Sequence, residues 1–367
     1  MHSNILILTN SSGGLYGFRR ELIAKLLEVS TVSASTPDSG NVCDLEELGC
    51  SVKCTAIDRR GINPVTDLGL ILRYFRLLRR EKPDLVITYT IKPNIYGGIV
   101  CRLLRIPYAV NITGLGTAFQ KQGALRKLVT MLYRIALKKA KVVFFENAGN
   151  RQTLIEEGIV KESRTCLLNG AGVNIDHYAY KPYPRENTPT RFLFIGRVMR
   201  EKGVDELFSA MSRLHREGFS CALDVLGGYE EDYAERIKIH TDEGWLNYHG
   251  YQKDVRLFIE QAHCFVLPSW HEGMANTNLE CAAMGRPLIT SSIHGCKEAV
   301  VENVSGLLCE PKNADSLYEA MARFLGMRRE ERETMGRAGR AHMEAAFDKR
   351  KVVAQTIRAL GFEKTEF

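Results

Sequence analysis

Several common patterns are missing from this 367-residue chain. Its ten cysteines are scattered and form no C-x-x-C pair, which argues against a zinc ribbon or a redox dithiol and predicts reduced cysteines with a packing role. No apolar run approaches the roughly 18 residues that a membrane-spanning helix needs, so no transmembrane segment is expected. The opening residues 1–8 are too short for a secretory signal and lack its basic start, and they predict a first buried strand instead.

Histidine and acidic residues are scarce in the first half. No histidine occurs between His2 and His177, so no imidazole from this stretch can take part in chemistry. Between Arg59 and Lys141 there are 17 basic residues and only 3 acidic ones. The net charge of +7 is therefore uneven, and it predicts a polyanionic surface as a partner of the first half.

What the chain does contain is typical of a globular protein of two or three domains, with 45% hydrophobic and 25% charged residues. Strand patterns recur at Ile5–Leu8, Leu85–Thr88, Tyr108–Val110, Lys141–Phe145, Arg191–Ile195, Ala222–Leu226, Cys264–Leu267 and Pro287–Thr290. Helical patterns alternate with them at Phe18–Leu27, Ile95–Leu104, Lys121–Lys139, Val204–His215 and Asp232–His240, and 315–367 is helical throughout. This alternation predicts an α/β fold with parallel, doubly wound sheets.

Three local features refine this picture. Three prolines within Lys181–Pro189 predict a linker between two such domains. Ser11–Gly14 predicts a glycine-rich turn after the first strand. In the predicted helix Lys121–Lys139, the apolar residues recur at helical spacing and predict a core-facing side, with the basic residues facing solvent. These apolar residues are Leu125, Leu128, Leu132, Ile135 and Ala136.

The stretch that follows Cys264–Leu267 contains the main candidate ligand-binding residues. Glu272 lies in the loop after this strand, and Glu280 lies in a helix predicted to begin near Asn276 or Thr277. Free N–H groups at a helix start and the helix dipole favour a phosphate, and carboxylates on either side can accept hydrogen bonds from sugar hydroxyls. The pattern fits a nucleotide sugar, although a surface loop with two solvated glutamates would have the same spacing.

The motifs resemble those of a known family. Glu272 and Glu280 match the E-x7-E signature of retaining glycosyltransferase family 4, and Gly196–Gly203 matches its G-R-x-x-x-x-K-G signature. The first half, with Tyr89–Gly97 and Thr113–Gly116, resembles members that extend lipid-diphosphate-linked sugars in bacterial surface polysaccharide or glycan assembly. The resemblance implies the GT-B fold of two Rossmann-like doubly wound domains that face a cleft. It implies an acceptor domain over 1–181, a nucleotide-sugar domain over 182–349, and a C-terminal helix over 350–367 that returns to the first domain.

The resemblance also assigns roles to residues. Arg197 and Lys202 would neutralise the donor diphosphate, Glu272 would bind the donor sugar, and Glu280 would bind the ribose hydroxyls. The other donor-binding residues would be Gly13, Gly14, Gly196, Gly227, Met274, Ala275, Asn276, Thr277 and Asn278. The acceptor side would include Lys92, Asn94, Thr113 and Gly114, although Lys92 could equally be an ordinary exposed lysine. Asn111–Gly114 stands where many members carry a histidine, so no catalytic histidine can be carried over to this domain. The chain has no Asp-x-Asp, the usual motif for a divalent ion on a diphosphate, so no metal is expected, and no other cofactor is expected either.

These assignments predict a retaining, metal-independent glycosyltransferase. It would move a sugar of the hexosamine or hexuronic acid type from a UDP-sugar to a polyprenyl-diphosphate-linked saccharide. The basic first half predicts attraction to anionic lipid, hence a cytoplasmic protein that is peripheral on the inner face of the cell membrane, with no nucleic-acid partner. A GT-B sugar-nucleotide epimerase and a non-catalytic nucleotide-sugar-binding scaffold remain as alternatives.

Overall fold

A computed structural model describes residues 3–58, 63–116, 119, 123–185 and 189–362. It forms two compact units, one of Met1–Ala171 with Lys351–Phe367 and one of Gly172–Arg350. Parts of four predicted features lie outside the described residues: the start of the first strand, the basic residues Arg59, Arg60 and Lys121, the linker residues 186–188, and the tail from 363.

The first unit is built on a sheet of seven parallel strands. These are β1 (Ser3–Leu8), β2 (Ser30–Thr36), β3 (Ser51–Cys54), β4 (Leu85–Tyr89), β5 (Tyr108–Ile112), β6 (Val142–Phe145) and β7 (Thr165–Leu167), in the order β3-β2-β1-β4-β5-β6-β7. Its helices are α1 (Ser12–Leu27), α2 (Val42–Glu47), α3 (Pro64–Glu81), α4 (Gly98–Leu104), α5 (Ala124–Leu137) and α6 (Ala148–Glu156), with a π-helical turn at Pro93–Gly97 before α4.

Alternate residues of the central strand point to opposite faces of this sheet. Ile5 and Ile7 of β1 join an apolar core with α1 and the C-terminal helix, whereas Leu6 and Leu8 join a second core with α3, α4 and α5. Helices therefore cover both faces, which is why the buried strands are apolar runs rather than alternating patterns. The predicted doubly wound architecture is confirmed.

The second unit repeats this design with six parallel strands. They are β8 (Thr190–Ile195), β9 (Cys221–Leu226), β10 (Leu246–Tyr248), β11 (Cys264–Leu267), β12 (Leu288–Ser291) and β13 (Gly306–Cys309), in the order β10-β9-β8-β11-β12-β13. The helices are α7 (Val204–Arg216), α8 (Ala234–Asp242), α9 (Arg256–Gln261), α10 (Asn276–Ala283), α11 (Ala314–Gly326), α12 (Arg329–His342) and α13 (Lys349–Leu360). From Lys351 onward, α13 belongs to the first unit, where Val352, Ile357 and Leu360 are buried in its core.

The predicted glycine-rich turn at Ser11–Gly14 is wrong. Helix α1 begins at Ser12, because Ser11 is its N-cap and its side chain accepts a hydrogen bond from Gly14 N at 3.0 Å. A serine cap satisfies a free N–H of the first helical turn, so the two glycines are tolerated inside the helix.

The predicted core-facing side of α5 is correct for Ala136 and the partly buried Leu132 but wrong for the other three residues. Leu125, Leu128 and Ile135 are exposed, and the helix packs on the core through Tyr133, Ala136 and Leu137. The apolar spacing was real, but most of the residues that carry it lie on the other side of the helix.

Candidate active site

The strand order of the second sheet changes direction between β8 and β11. Strands β8, β9 and β10 follow one another toward one edge, and β11, β12 and β13 follow one another toward the other. The segments after β8 and β11 therefore leave the same end of the sheet side by side, which is where open parallel sheets bind ligands. The predicted motifs begin in these two segments, Gly196–Gly203 after β8 and Glu272 after β11.

The two motifs meet in an ion pair. Lys202 Nζ contacts Glu272 Oε1, and Ser269 Oγ donates a hydrogen bond to the same carboxylate oxygen at 2.8 Å. The side chains of Lys202 and Glu272 are only 19% and 12% exposed, so water and salt screen their attraction less than they screen a surface pair. The structure thus brings together two of the three residues predicted to be catalytic.

Backbone contacts lock the two segments against each other. Gly203 has φ +73°, and a Cβ there would lie 2.1 Å from the carbonyl oxygen of Pro268. Only glycine tolerates both this conformation and this close approach. Trp270 N also donates to the carbonyl oxygen of Glu201 at 3.0 Å. The spacing between Lys202 and Glu272 is therefore set by main-chain packing as well as by the ion pair.

Trp270 is a site residue that the sequence reasoning missed. Its Nε1 donates to Glu206 Oε1 of α7 at 3.2 Å, and Lys312 Nζ lies 4.8 Å from its ring centroid. Arg200 Cζ lies 5.4 Å from the ring, so two cations contact it. These partners come from distant parts of the chain, and the only sequence signal was that tryptophan occurs twice.

Arg197 is not part of the Lys202–Glu272 ion pair. Its side chain is 54% exposed and pairs with Glu230, with 3.3 Å between NH1 and Oε2. The neighbouring Gly196 packs against Gly227, which has φ +142° and whose added Cβ would lie 1.8 Å from the carbonyl oxygen of Gly196. Close packing of the two backbones is therefore sufficient to explain why residue 227 is a glycine.

Helix α10 begins as predicted at Asn276, and its N-cap, Ala275, provides no side-chain hydrogen bond to the first turn. Met274 and Ala275 are buried, while Asn276 and Thr277 are half-buried. Ala275 N donates to the carbonyl oxygen of Gly295 at 2.7 Å, which fixes the segment before the helix.

Asn278 connects α10 to β12 inside the second unit. It is fully buried, and its Nδ2 lies 3.2 Å from Thr290 Oγ1 on β12. Gly295, which sequence reasoning did not single out, has φ +91° and would place a Cβ 2.7 Å from the carbonyl oxygen of Gly273. The loop that carries Glu272 is thus held by Gly203 on one side and by Gly295 on the other.

Glu280 lies in α10, on a partly buried side of the helix. Burial raises the pKa of its carboxyl to about 7, and a hydrogen bond from Tyr178 and the charge of Lys349 oppose part of that rise. A carboxyl that titrates near neutral pH is a common feature of functional sites. Tyr178 and Lys349 are distant in sequence, which is why the motif alone could not reveal them.

The histidines near the site have separate roles. Burial is the main reason that the pKa of His271 is lowered, while the charges of Glu201 and Glu272 oppose the shift. His271 is therefore neutral at pH 7. His249 contacts Asp224 at 2.8 Å and His294 contacts Glu298 at 2.8 Å, so each of these two histidines has a carboxylate partner.

In the first unit, the predicted acceptor-side residues follow β4 and β5. Lys92 Nζ donates to Asp67 Oδ1 at 2.8 Å, and Tyr96 OH donates to Asp67 Oδ2 at 2.8 Å. The Lys92 side chain is 14% exposed, so it is not an ordinary solvated lysine. Thr90, just before it, has φ +71°, which is unusual for a β-branched residue and strained.

Asn94 is buried, and both ends of its side-chain amide form hydrogen bonds. It accepts a hydrogen bond from Thr88 Oγ1 at 2.7 Å and donates to the carbonyl oxygen of Asn111 at 2.8 Å. These bonds tie β4 to β5. Thr113 and Gly114 lie directly after β5, at the same end of the sheet as Lys92.

Gly13 and Gly14 lie at the carboxyl end of β1 in this unit. The N–H of Gly13 donates to Ser39 Oγ at 3.3 Å, and that of Gly14 donates to Ser11 Oγ. A Cβ on Gly13 would approach Asn41 Oδ1 to 3.2 Å. Both glycine amides are thus already bound to serine hydroxyls.

Two kinds of feature are absent from the described residues. They contain no group of three or more histidine, cysteine, aspartate or glutamate side chains that could hold a metal ion. None of the helices in the described ranges combines the length and the apolar character needed to cross a membrane.

Fold and site together define a protein of two parallel α/β units, with a cation–carboxylate pair where the second sheet changes direction. Residues 15–170 match the family model described as "Glycosyl transferase 4-like domain", and residues 189–327 match "Glycosyl transferases group 1". The chain belongs to this family of glycosyltransferases, as its motifs predicted.

Several characterised relatives act on lipid-linked sugars, according to their names. The chain is 25% identical over 336 residues to N,N'-diacetylbacillosaminyl-diphospho-undecaprenol alpha-1,3-N-acetylgalactosaminyltransferase of Campylobacter jejuni, covering 87% of this chain and 88% of that protein. It is also 25% identical over 282 residues to UDP-Gal:alpha-D-GlcNAc-diphosphoundecaprenol alpha-1,3-galactosyltransferase of Escherichia coli, covering 72% of each.

Solved structures share the fold over nearly the whole chain. HepE of Anabaena, crystallised with UDP and glucose, superposes with a TM-score of 0.79 at 16% identity and covers 98% of this chain and 100% of its own. Sucrose-phosphate synthase of Thermosynechococcus elongatus gives 0.79 at 20% identity, covering 97% and 98%. The predicted GT-B fold is confirmed.

Proposed function

We propose that this chain transfers a sugar from a UDP-sugar to a saccharide carried on a polyprenyl diphosphate, with retention of configuration and without a metal ion. The observation that carries the proposal is the Lys202–Glu272 pair at the point where the second sheet changes direction. The names of the Campylobacter and Escherichia relatives support the lipid-linked acceptor, and the former favours a hexosamine over a hexuronic acid.

The roles of the two halves follow from this proposal. Residues 182–349 bind the donor, residues 1–181 bind the acceptor, and residues 350–367 complete the acceptor domain. Lys202 and Arg197 bind the diphosphate, Glu272 binds hydroxyls of the donor sugar, and Glu280 binds the ribose. The start of α10, whose N-cap Ala275 offers no side-chain acceptor, supplies further phosphate contacts through its N–H groups.

In the proposed reaction, the acceptor hydroxyl attacks the anomeric carbon from the face that the diphosphate vacates. The bond from that carbon to the diphosphate oxygen breaks, and the hydroxyl proton passes to the leaving phosphate oxygen. The protein contributes positioning and charge stabilisation, for which the partly buried Lys202 is well placed. Cationic side chains take the part that a divalent ion would otherwise play on the diphosphate.

The direct test incubates the protein with UDP-sugars and a polyprenyl-diphosphate-linked saccharide. We expect release of UDP, an acceptor heavier by one sugar, and an α-linkage by NMR when the donor is an α-linked UDP-sugar. Excess EDTA should leave the rate unchanged. Release of an epimerised sugar without acceptor transfer would indicate an epimerase, and UDP-sugar binding without turnover would indicate a scaffold.

Location follows from the acceptor. We propose a cytoplasmic protein that is peripheral on the inner face of the membrane, because the basic excess between Arg59 and Lys141 lies in the half assigned to the acceptor. Each basic residue near an anionic surface contributes about 1 kcal/mol, and this attraction weakens as salt is added.

A further inference from the structure

The outward side of α5 is apolar. Leu128, Met131 and Ile135 are 45%, 49% and 38% exposed and recur at intervals of three and four residues. At 3.6 residues per turn, this row lies opposite the side through which Tyr133 and Leu137 pack on the core. Helix α5 therefore has two apolar sides, and only one of them is needed for folding.

Helix α3 repeats this arrangement. Val65, Leu68 and Leu72 are 79%, 58% and 48% exposed, at intervals of three and four residues. The buried residues Leu70, Tyr74 and Leu78 lie on the opposite side. Both helices belong to the first unit and pack on the same core.

Helix α4 lies against both α3 and α5 and adds Leu103, which is 66% exposed. Single exposed leucines are common, but rows on neighbouring helices of one unit mark an interaction surface. We name the seven residues the apolar face: Val65, Leu68, Leu72, Leu103, Leu128, Met131 and Ile135.

Basic residues greatly outnumber acidic ones on the helices that carry the apolar face. Exposed basic residues on and directly after the same three helices are Arg73, Arg76, Arg79, Arg80, Arg105, Lys127, Arg134, Lys138 and Lys139. Of the acidic residues within these helices, Asp67 pairs with Lys92, and Glu81 pairs with Lys53 and Arg80, so the other cations of the set remain in excess. Exposed apolar rows among an excess of cations match a bilayer with anionic headgroups, because apolar side chains enter the acyl boundary while long basic ones reach the phosphates.

We propose that the apolar face inserts into the interfacial layer of an anionic phospholipid bilayer, so that this chain is held to membranes by apolar burial as well as by charge. The inference rests on the proposed function insofar as a lipid-linked acceptor brings the protein to a membrane. It adds that the attachment is resistant to salt.

The test compares sedimentation with vesicles of phosphatidylcholine alone and of phosphatidylcholine with phosphatidylglycerol. At about 0.5 M NaCl, where the screening length is only a few ångströms, wild-type protein should remain largely bound to the anionic vesicles. The triple variant Leu128→Gln, Met131→Gln, Ile135→Gln should lose at least about tenfold in partitioning, since three apolar side chains no longer leave water. The matched control is Ile239→Gln with Leu257→Gln, which removes two exposed apolar residues from α8 and α9 of the second unit.

A second readout reports insertion itself. In Met131→Trp, the new tryptophan should shift its emission to the blue on anionic vesicles and be quenched by brominated acyl chains. Unquenched emission, or wild-type partitioning of the triple variant at high salt, would overturn the proposal. So would a concentration-dependent dimer that the triple variant abolishes while vesicle binding is unchanged, because a second copy would then cover the face.

Failure of the inference and failure of the proposed function are separable. Transfer to a short-chain, water-soluble acceptor needs no bilayer, so the triple variant should keep the wild-type rate in that assay. If wild-type protein inserts into vesicles but transfers no sugar to that acceptor, the proposed function is wrong and the proposal for the apolar face is still supported.

Discussion

Lys202 and Glu272 hold opposite charges in contact at a site where water is largely excluded. Removing Lys202 leaves the carboxylate with Ser269 as its hydrogen-bond donor and leaves the developing charge on the leaving diphosphate unopposed at that point. We therefore expect Lys202→Ala to lower turnover by about 10²-fold or more, the size of effect seen when one charge-stabilising group is lost. Initial rates of UDP release at saturating donor measure it.

The matched control for that prediction is Arg216→Ala, which removes an exposed cation at the far end of α7. It should retain the wild-type rate. Near-normal turnover in Lys202→Ala would take this lysine out of the mechanism, whatever its contact with Glu272.

Glu280 should make nucleotide binding depend on pH. Its carboxyl has a pKa raised to about 7, so it is partly protonated at neutral pH before the nucleotide binds. Ribose hydroxyls that donate to it favour the ionised form, so binding should lower this pKa and release a proton. UDP affinity should therefore rise as the pH rises toward 7 and level off above it, and calorimetry in buffers of different ionisation enthalpy should detect the released proton.

The β-phosphate of UDP also titrates, so Glu280→Gln serves as the reference. The variant should bind UDP more weakly at pH 8 and release fewer protons near pH 7 than wild type. Glu272→Gln, by contrast, should keep UDP binding while losing transfer. Equal loss of UDP binding in both variants would show that the two glutamates do not divide the donor between them.

At the scale of elements, the loop before α10 depends on glycine. Gly295 has φ +91°, and a Cβ there would lie 2.7 to 2.9 Å from main-chain atoms of Gly273 and Glu272. Gly295→Ala should therefore displace the Glu272 loop and lower the transfer rate at least about tenfold. The strained backbone should separately lower the free energy of unfolding by about 1–3 kcal/mol. Gly244→Ala is the matched control, because Gly244 has φ +85° with no atom within 4 Å of an added Cβ.

Thermal unfolding and transfer rates together decide this prediction. Both variants should lose some stability, but only Gly295→Ala should lose transfer. Parallel loss in the two would mean that strain alone, and not the position of Glu272, accounts for the effect.

The central elements were predictable from sequence because they are long, apolar and bounded by turns. Cys264–Leu267 was predicted to the residue, and the start of α10 was predicted near Asn276 or Thr277, within one residue of where it lies. Edge strands such as β3 and β10, with four and three residues, carry too little pattern to recognise. Helical spacing also cannot show which of two apolar sides faces the core, which is why three of the five residues of α5 that were predicted to face the core are exposed.

Within the site, too, the sequence predicts what local spacing determines and misses what depends on distant contacts. Local spacing places Lys202 and Glu272 at the ends of strands, and parallel strands end at a common edge, so their meeting was foreseeable. Trp270 with Glu206, and Glu280 with Tyr178, depend on contacts between distant segments that no local pattern encodes. The occupied amide of Gly13 belongs to the same class, because its partner Ser39 comes from another segment.

At the scale of the whole molecule, α13 ties the end of the chain to the first unit. Val352 and Ile357 are 4% and 8% exposed within that core, and Lys141 Nζ donates to the carbonyl oxygen of Leu360 at 2.7 Å. Replacing both side chains with alanine should destabilise the first unit by several kcal/mol, about 2 kcal/mol or more from the isoleucine alone. Hydrogen exchange should show faster opening in β1 and α1, while UDP binding to the second unit should be unchanged.

The placement of α13 also bears on how the protein is made. The first 171 residues leave the ribosome early, yet one side of their core is closed by a helix encoded almost 180 codons later. Until that helix is synthesised, the apolar surface it will cover remains open to water, to chaperones and to other nascent chains. The second unit is contiguous and has no such delay, so the unit that begins first is completed last.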